Sequence, residues 1–410
     1  GLYPATYLSS FNPVSILKGN GISDKDRGWL RRGLVIIQFL ISSVMIIGSI
    51  VVALQMGFIQ QKDLGFDRDQ LLVITLNDSS LINNVNAYMQ EIERHPDVEE
   101  TTLSTSVPGG FYGKRVMTLE DMQGEMQEKT VNSCIVNYEY MDAMGLELVA
   151  GRFYDREYGA DENNSYVVNE ALVREMQWGE EAIGKQFIRG VNIEGADNPA
   201  GEIIGVVKDF NYGSLHNPVE GLVLVCRDDA TFMRNLSVRF SEDRGNEVLQ
   251  WIDEKREAFN PAYPIQYAYL NDDLKALYEE ERVIFALVIS FTVLIIFIAA
   301  IGLLGLSAFM TMKRTRETGI RRVMGASQNQ ILTLFLMEFS KWVIISNIIA
   351  WPLSYLDMKN WLQNFTYRID FPFWTFIISL LLSLTIAVVT VSWQALTASR
   401  MNPATSIRAE

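Results

Sequence analysis

Histidine and cysteine are almost missing, at two of each in 410 residues. That scarcity leaves little room for a zinc module built on Cys and His ligands. Basic charge is short as well. The 35 Lys and Arg stand against 49 Asp and Glu, a net charge of -14, the wrong sign for a protein that binds nucleic acid by displacing counterions. Charged residues of both signs make up only 20%, below the roughly 25% of a soluble domain. Apolar residues are not short, at 49%, and a disordered chain is thereby excluded, because it would lack the side chains that offset ordering entropy.

The apolar excess is concentrated. Residues 33–54 and 283–310 carry no charge at all, and 373–395 is a third such run. A fourth, 331–355, is interrupted only by Glu338 and Lys341. A helix rises 1.5 Å per residue, so about 20 residues cross a hydrocarbon core of about 30 Å. Buried helices of a soluble core would show polar stripes every three or four residues, and these do not. Four spanning helices are predicted. A signal peptide fits the first run poorly, because its apolar stretch exceeds an h-region of about 7–15 residues and 32 residues precede it.

Charge sets the orientation. Residues 61–282 hold 20 basic and 42 acidic residues, a net of -22. The basic remainder clusters beside the runs, at Lys18, Lys25, Arg27, Arg31 and Arg32, then Lys313, Arg314, Arg316, Arg321 and Arg322, then Arg400 and Arg408. Short basic flanks stay in the cytoplasm while long acidic domains are translocated. The expected organisation is a cytoplasmic segment 1–32, a span 33–54, an external domain 55–282, a span 283–310 and a cytoplasmic loop 311–330. A span 331–355, a short external loop 356–372, a span 373–395 and a cytoplasmic tail 396–410 complete it.

The external block reads as mixed α/β. Strands are expected at 71–76, 166–168, 202–207, 222–225 and 236–240, and helices at 84–94, 170–177 and 245–259. A polar helix at 272–281 is expected to run unbroken into the second span as a stalk. Gly179 to Gln186 fits the start of a phosphate-binding loop, GxxxxGK, but Gln186 stands where Ser or Thr must hold Mg²⁺, and Glu180 and Glu181 would repel a triphosphate. Cys134 and Cys226 share the external side, where a disulfide is permitted, although two separate buried thiols are favoured. His95 before Pro96 and His216 in a turn read as capping or surface residues, and no nucleophile–base arrangement or metal-ligand spacing is found.

In the cytoplasmic loop, Ile320, Val323 and Met324 fall at i, i+3, i+4 beside Arg321 and Arg322. That stripe suits a lipid surface or a partner's groove equally well. Glu338 and Lys341, an i, i+3 polar pair inside the third span, read as a structural anchor. The chain's ends repeat each other: residues 9–18 align with 399–408, matching Ser, Asn and Pro, with Lys18 meeting Arg408. A tail motif at the start predicts a similar unit before it.

At these residues the chain resembles the MacB-like and FtsX-like permeases of ABC transporters. Arg316-Glu317-Thr318-Gly319-Ile320-Arg321-Arg322-Val323-Met324-Gly325-Ala326-Ser327 is similar to the family's ExGIRRAxGAS signature, and Leu336-Met337-Glu338 to its FLxE. Met144 to Phe153, Val167-Val168-Asn169-Glu170, Ile183-Gly184-Lys185 and Ile204 to Phe210 resemble the MacB-like periplasmic core domain, in order. The resemblance implies a bacterial inner-membrane permease with four transmembrane helices, a periplasmic α/β domain between the first two, and both termini cytoplasmic. It implies a separate cytoplasmic ATPase that binds ATP and Mg²⁺, leaving no cofactor and no enzyme activity on this chain. It implies a second permease unit beside this one, with an adaptor and an outer-membrane channel as further partners. Carried over, Glu317, Gly319, Ile320, Arg321, Arg322, Gly325 and Ala326 are the ATPase-coupling contact. The implied activity is export by mechanotransmission, in which ATP-driven closure moves the external domain. Activation of cell-wall hydrolases and lipoprotein release are the alternatives.

Overall fold

The computed structural model describes residues 24–159, 161–189, 200–242, 244–259, 264–313, 320–321 and 324–399. The terminal repeat, Glu317, Gly319 and Arg322 lie outside the described residues. Two compact units divide the chain, one of long helices and one, Ile59–Glu280 with Phe365–Tyr367, built on a sheet.

The helical unit holds α1 (Asp24–Gln61), α2 (Glu279–Lys313), α3 (Gln328–Leu362) and α4 (Trp374–Ser399). All four are long and apolar enough to cross a membrane. Each covers most or all of the apolar run that predicts it and extends beyond it, because hydrogen bonding, not hydropathy, sets where a helix stops. Ser327 begins α3 with a capping box: its hydroxyl accepts from the Gln330 N–H, and the Gln330 side chain accepts from the Ser327 N–H.

Among the described residues the sheet unit has eleven strands. β1 (Leu71–Thr75), β2 (Val98–Ser104), β3 (Gly113–Glu120), β4 (Met126–Val136), β5 (Leu148–Gly151) and β6 (Ser165–Asn169) come first. β7 (Gln186–Ile188), β8 (Ala200–Val207), β9 (Leu222–Cys226), β10 (Asn235–Phe240) and β11 (Gln266–Tyr269) follow. Four of them form an antiparallel sheet in the order β11-β1-β10-β2. Helices Val85–Ile92 and Gly245–Phe259 follow β1 and β10 and are joined by the Tyr88 hydroxyl, which donates to the Ile252 carbonyl at 2.9 Å. This order, with a helix in each half, is the split βαβ arrangement of ferredoxin-like sheets.

Between β2 and β10 the chain makes a second body. β4 pairs β3, β3 pairs β7, β7 pairs β8, β8 pairs β6, β6 pairs β9, and β9 returns to β4 in parallel. The ring closes, so these six strands form a small barrel. Met117, Leu119, Val131, Ile135, Tyr166, Val168, Phe187, Val223 and Val225 are alternate residues of those strands and share one buried core. Ser104 pairs with Val136 where β2 of the sheet meets β4 of the barrel, and the Asn137 N–H donates to the Leu103 carbonyl at 3.1 Å beside them.

The expected strands at 71–76, 166–168, 202–207, 222–225 and 236–240 are present, as are the expected helices. The polar β3–β4 hairpin was not foreseen: Asp121 Oδ1 accepts from the N–H groups of Gln123 and Glu125 in its turn, at 2.8 and 2.9 Å. The stalk needs correction. It is not one helix, because Leu270–Ala276 ends before α2 begins at Glu279. At the break, the Tyr278 hydroxyl accepts the Leu215 N–H at 2.8 Å, and its ring stacks on His216.

Candidate functional site

In the helical unit, spacing by four residues builds a layered seam. Along α1, Val35 and Phe39 enter one apolar cluster, and Ile47 and Val51 enter another. Along α3, Phe335, Phe339 and Val343 join the first and Leu362 the second. Between the clusters lies a polar layer. Ser43 Oγ donates to Asn347 Oδ1 at 3.0 Å, Ser379 Oγ donates to the same oxygen at 3.2 Å, and Ser43 and Ser383 hydroxyls meet at 3.3 Å. Asn347 Nδ2 donates to the Val343 carbonyl at 2.9 Å, so the amide is used on both sides. All four side chains are fully buried. With apolar side chains on both sides, these groups bond to each other, at roughly 0.6 and up to about 1.7 kcal/mol per contact. α2 joins through Ser49 and Thr292, whose hydroxyls are 2.8 Å apart, and through Gly302, where an added Cβ would sit 2.6 Å from the Gln38 amide.

Of the sequence-predicted coupling residues, Ile320, Arg321, Gly325 and Ala326 are described. The Met324 N–H donates to the Ile320 carbonyl at 3.0 Å and the Ala326 N–H to the Arg321 carbonyl at 2.9 Å, closing a short helical turn. That turn leaves Ile320 and Met324 exposed, Met324 at 83%. Gly325 follows at φ +94°, a left-handed conformation that favours glycine, and the Ser327 cap starts α3. Glu338 is half-buried and Lys341 exposed on α3. The sequence reading took these two charges as the polar feature of the span and missed Asn347, although an Asn amid Ile and Val was visible.

In the sheet unit the signature residues hold backbone. Gly151 is at φ +75°, and a Cβ there would lie 2.1 Å from the Ile204 carbonyl oxygen. Gly205 answers it: its Cβ would lie 2.1 Å from the Arg152 oxygen. The two segments therefore cross backbone to backbone, and glycine is required on both sides. Arg152 then forks onto buried Asp161 at 2.6 and 2.8 Å. Burial pushes the Asp161 carboxyl up, but Arg152, the Asp155 N–H and the Ser165 hydroxyl outweigh it and hold it below the usual carboxylate range.

Asn169 caps helix Glu170–Glu175 by accepting the Leu172 N–H at 3.1 Å, and it accepts the Leu222 N–H at 2.8 Å. Asp209 accepts the Ala171 N–H at 2.8 Å and pairs with Arg174. The false phosphate loop is a structural turn, with Gly184 at φ +84° donating to the Ile203 carbonyl at 2.8 Å. Its Lys185 is bound to the Glu120 carboxylate and the Asp121 carbonyl.

Cys134 and Cys226 are separate buried thiols, and burial pushes Cys134 up to about 11. A thiol so protonated is a poor nucleophile. His95 caps a helix end, its Nδ1 accepting the Asp97 N–H at 3.2 Å. No group of three or more metal-ligating side chains occurs among the described residues.

Residues 289–403 match the FtsX-like permease C-terminal family. The uncharacterized ABC transporter permease YknZ of Bacillus subtilis (strain 168) is 23% identical over 332 residues, 75% of this chain and 78% of that protein. The macrolide export ATP-binding/permease protein MacB of Shewanella sp. (strain W3-18-1) is 22% identical over 229 residues, which cover 54% of this chain but only 34% of that protein. Among solved structures, the periplasmic region of MacB from Actinobacillus actinomycetemcomitans aligns with a TM-score of 0.38 at 13% identity, over 54% of this chain and 97% of that one. Residues 289–403 therefore form an FtsX-like permease domain, and the chain is similar in sequence to the ABC transporter permease YknZ and to MacB.

Proposed function

We propose that the chain is the membrane subunit of an ABC exporter that works by mechanotransmission. A separate cytoplasmic ATPase binds the segment between α2 and α3, and a second permease unit stands beside this one in the bacterial inner membrane. Both termini are cytoplasmic and residues 55–282 face the periplasm, a reading supported by the basic residues that flank the spans. ATP and Mg²⁺ belong to the ATPase.

The observation that carries this reading is the segment before α3. Two apolar side chains, Ile320 and Met324, stand exposed one turn apart beside Arg321. The glycine turn and the capped start of α3 follow within four residues. Such a knob suits a groove on a partner, and it leads directly into a helix whose polar layer grips α1 and α4. A push at the knob is thereby passed to three helices together. The Shewanella relative's name states macrolide export; for this chain export is inferred and its cargo is left open.

Charge reversal tests the reading. Arg321→Glu with Arg322→Glu should lower the ATPase recovered with the purified chain by ten-fold or more while membrane insertion is unchanged. An unchanged yield of the complex removes the coupling assignment.

A further inference from the structure

The closed barrel carries an oddity at one end. Arg115 on β3, Arg189 just after β7 and Arg227 just after β9 each continue the inward-facing alternation of their strands, two residues from Met117, Phe187 and Val225. Pairing brings them together: Thr118 faces Ile188 across β3 and β7, and Tyr166 faces Val225 across β6 and β9. Arg189 lies close enough to Arg227 and Arg115 to feel both charges. Burial first, then those two guanidinium groups, push its own value below the usual arginine range.

Carboxylates outnumber basic residues 42 to 20 over residues 61–282, yet these three arginines form no ion pair among the described residues. Other basic side chains of the same body are matched: Lys114 to Glu220, Lys129 to Glu175, Lys185 to Glu120, and Arg152 to Asp161. Two further groups are unspent. The Nε of Arg227 is buried without a hydrogen-bond partner. Tyr166, 3% exposed, lies within reach of the Arg189 and Arg227 charges, and its hydroxyl has no hydrogen-bond partner among the described residues. Asp229 supplies part of the counter-charge to Arg227, while its Oδ1 accepts the N–H and hydroxyl of Thr231.

Like charges held together are unfavourable, and the buried Arg227 Nε without an acceptor costs more. A bound anion would relieve both. We propose that this end of the barrel is a binding site for a phosphoryl group, held by the forks of Arg115, Arg189 and Arg227 with the Tyr166 hydroxyl as a further donor. A carboxylate brings one charge, whereas a phosphate monoester brings about 1.5–2 and three acceptor oxygens, the better match to three guanidinium forks. Free phosphate and a phospholipid headgroup share this chemistry. The assignment does not depend on the transport reading.

Calorimetric titration of the full chain in non-ionic detergent, at constant ionic strength, tests it with sodium phosphate, glycerol 3-phosphate and sodium acetate as probes. Phosphate or glycerol 3-phosphate should bind, and acetate at least ten-fold more weakly. Tighter binding of glycerol 3-phosphate supports the site with a headgroup as its source, and equal or tighter inorganic phosphate supports it with the free ion. Arg189→Gln and Arg227→Gln should each weaken phosphate at least ten-fold, with Arg189→Lys between them and the native chain. In phosphate-free buffer the two Gln variants should unfold at a higher temperature than the native chain, because a like charge has been removed. No binding of either phosphate, equal binding of acetate, undiminished affinity in both Gln variants, or a lower phosphate-free midpoint in both overturns the proposal.

Discussion

Buried polar side chains do different work in the two units. Among the long helices one buried layer bonds side chain to side chain, that of Ser43, Asn347, Ser379 and Ser383. In the sheet unit they bond to backbone, as Asn169 does to Leu172 and Leu222, and Asp209 to Ala171. The cause lies in the main chain. A helix satisfies its own N–H groups along its length, so a polar side chain in a packed bundle turns to another side chain or to a carbonyl of its own preceding turn, as Ser346 does to Trp342. Strand ends and tight turns leave main-chain groups open, and side chains close them. The helical unit should therefore be sensitive to side-chain chemistry, and the sheet unit to changes that move backbone.

The sharpest way to break that contrast is at the glycine crossing. Gly205→Ala sets a Cβ 2.1 Å from the Arg152 oxygen, and it should cost about 3 kcal/mol or more. Folded chain recovered in detergent, or the thermal midpoint of its β-structure, measures this, and an unshifted midpoint defeats the backbone argument. Asn347→Leu comes next. It strips the shared acceptor from Ser43 and Ser379 and should lower bundle stability by about 1–2 kcal/mol, read by denaturation in mixed micelles. A more stable variant would show that the layer is no clamp.

The smallest effect sharpens the comparison by pH. Because the Asp161 carboxyl is held below its usual range, its contribution is present above the unfolded value of about 3.9. It is lost as pH falls through the lower folded value. Asp161→Asn should cost about 1 kcal/mol at neutral pH, since Arg152 is partly solvated. It should also flatten the acid limb of the stability profile, and an unchanged limb would remove Asp161 from the account.

Much of this was legible before any coordinates. The apolar runs announced four helices because bilayer thickness leaves little choice of length, and β-branched runs such as Glu202 to Val207 announced strands. The barrel was not legible. Its β3–β4 hairpin is largely polar, and its closure depends on β4 meeting β9, about ninety residues later. The same non-locality hid the arginines, which are ordinary surface residues until the ring gathers them. The stalk misled for a local reason: periodicity of Leu274, Leu277 and Tyr278 suggested one helix, and the Tyr278 hydroxyl's bond to Leu215 marks where it turns.

Ser104, the last residue of β2, faces Asn235, the first of β10. Everything from 105 to 234 thus departs and re-enters through two neighbouring positions, about 5 Å apart as in any antiparallel pair. The barrel behaves as a cassette plugged into a hairpin. It could be enlarged, trimmed or exchanged for another without shifting the register of the four strands that carry it.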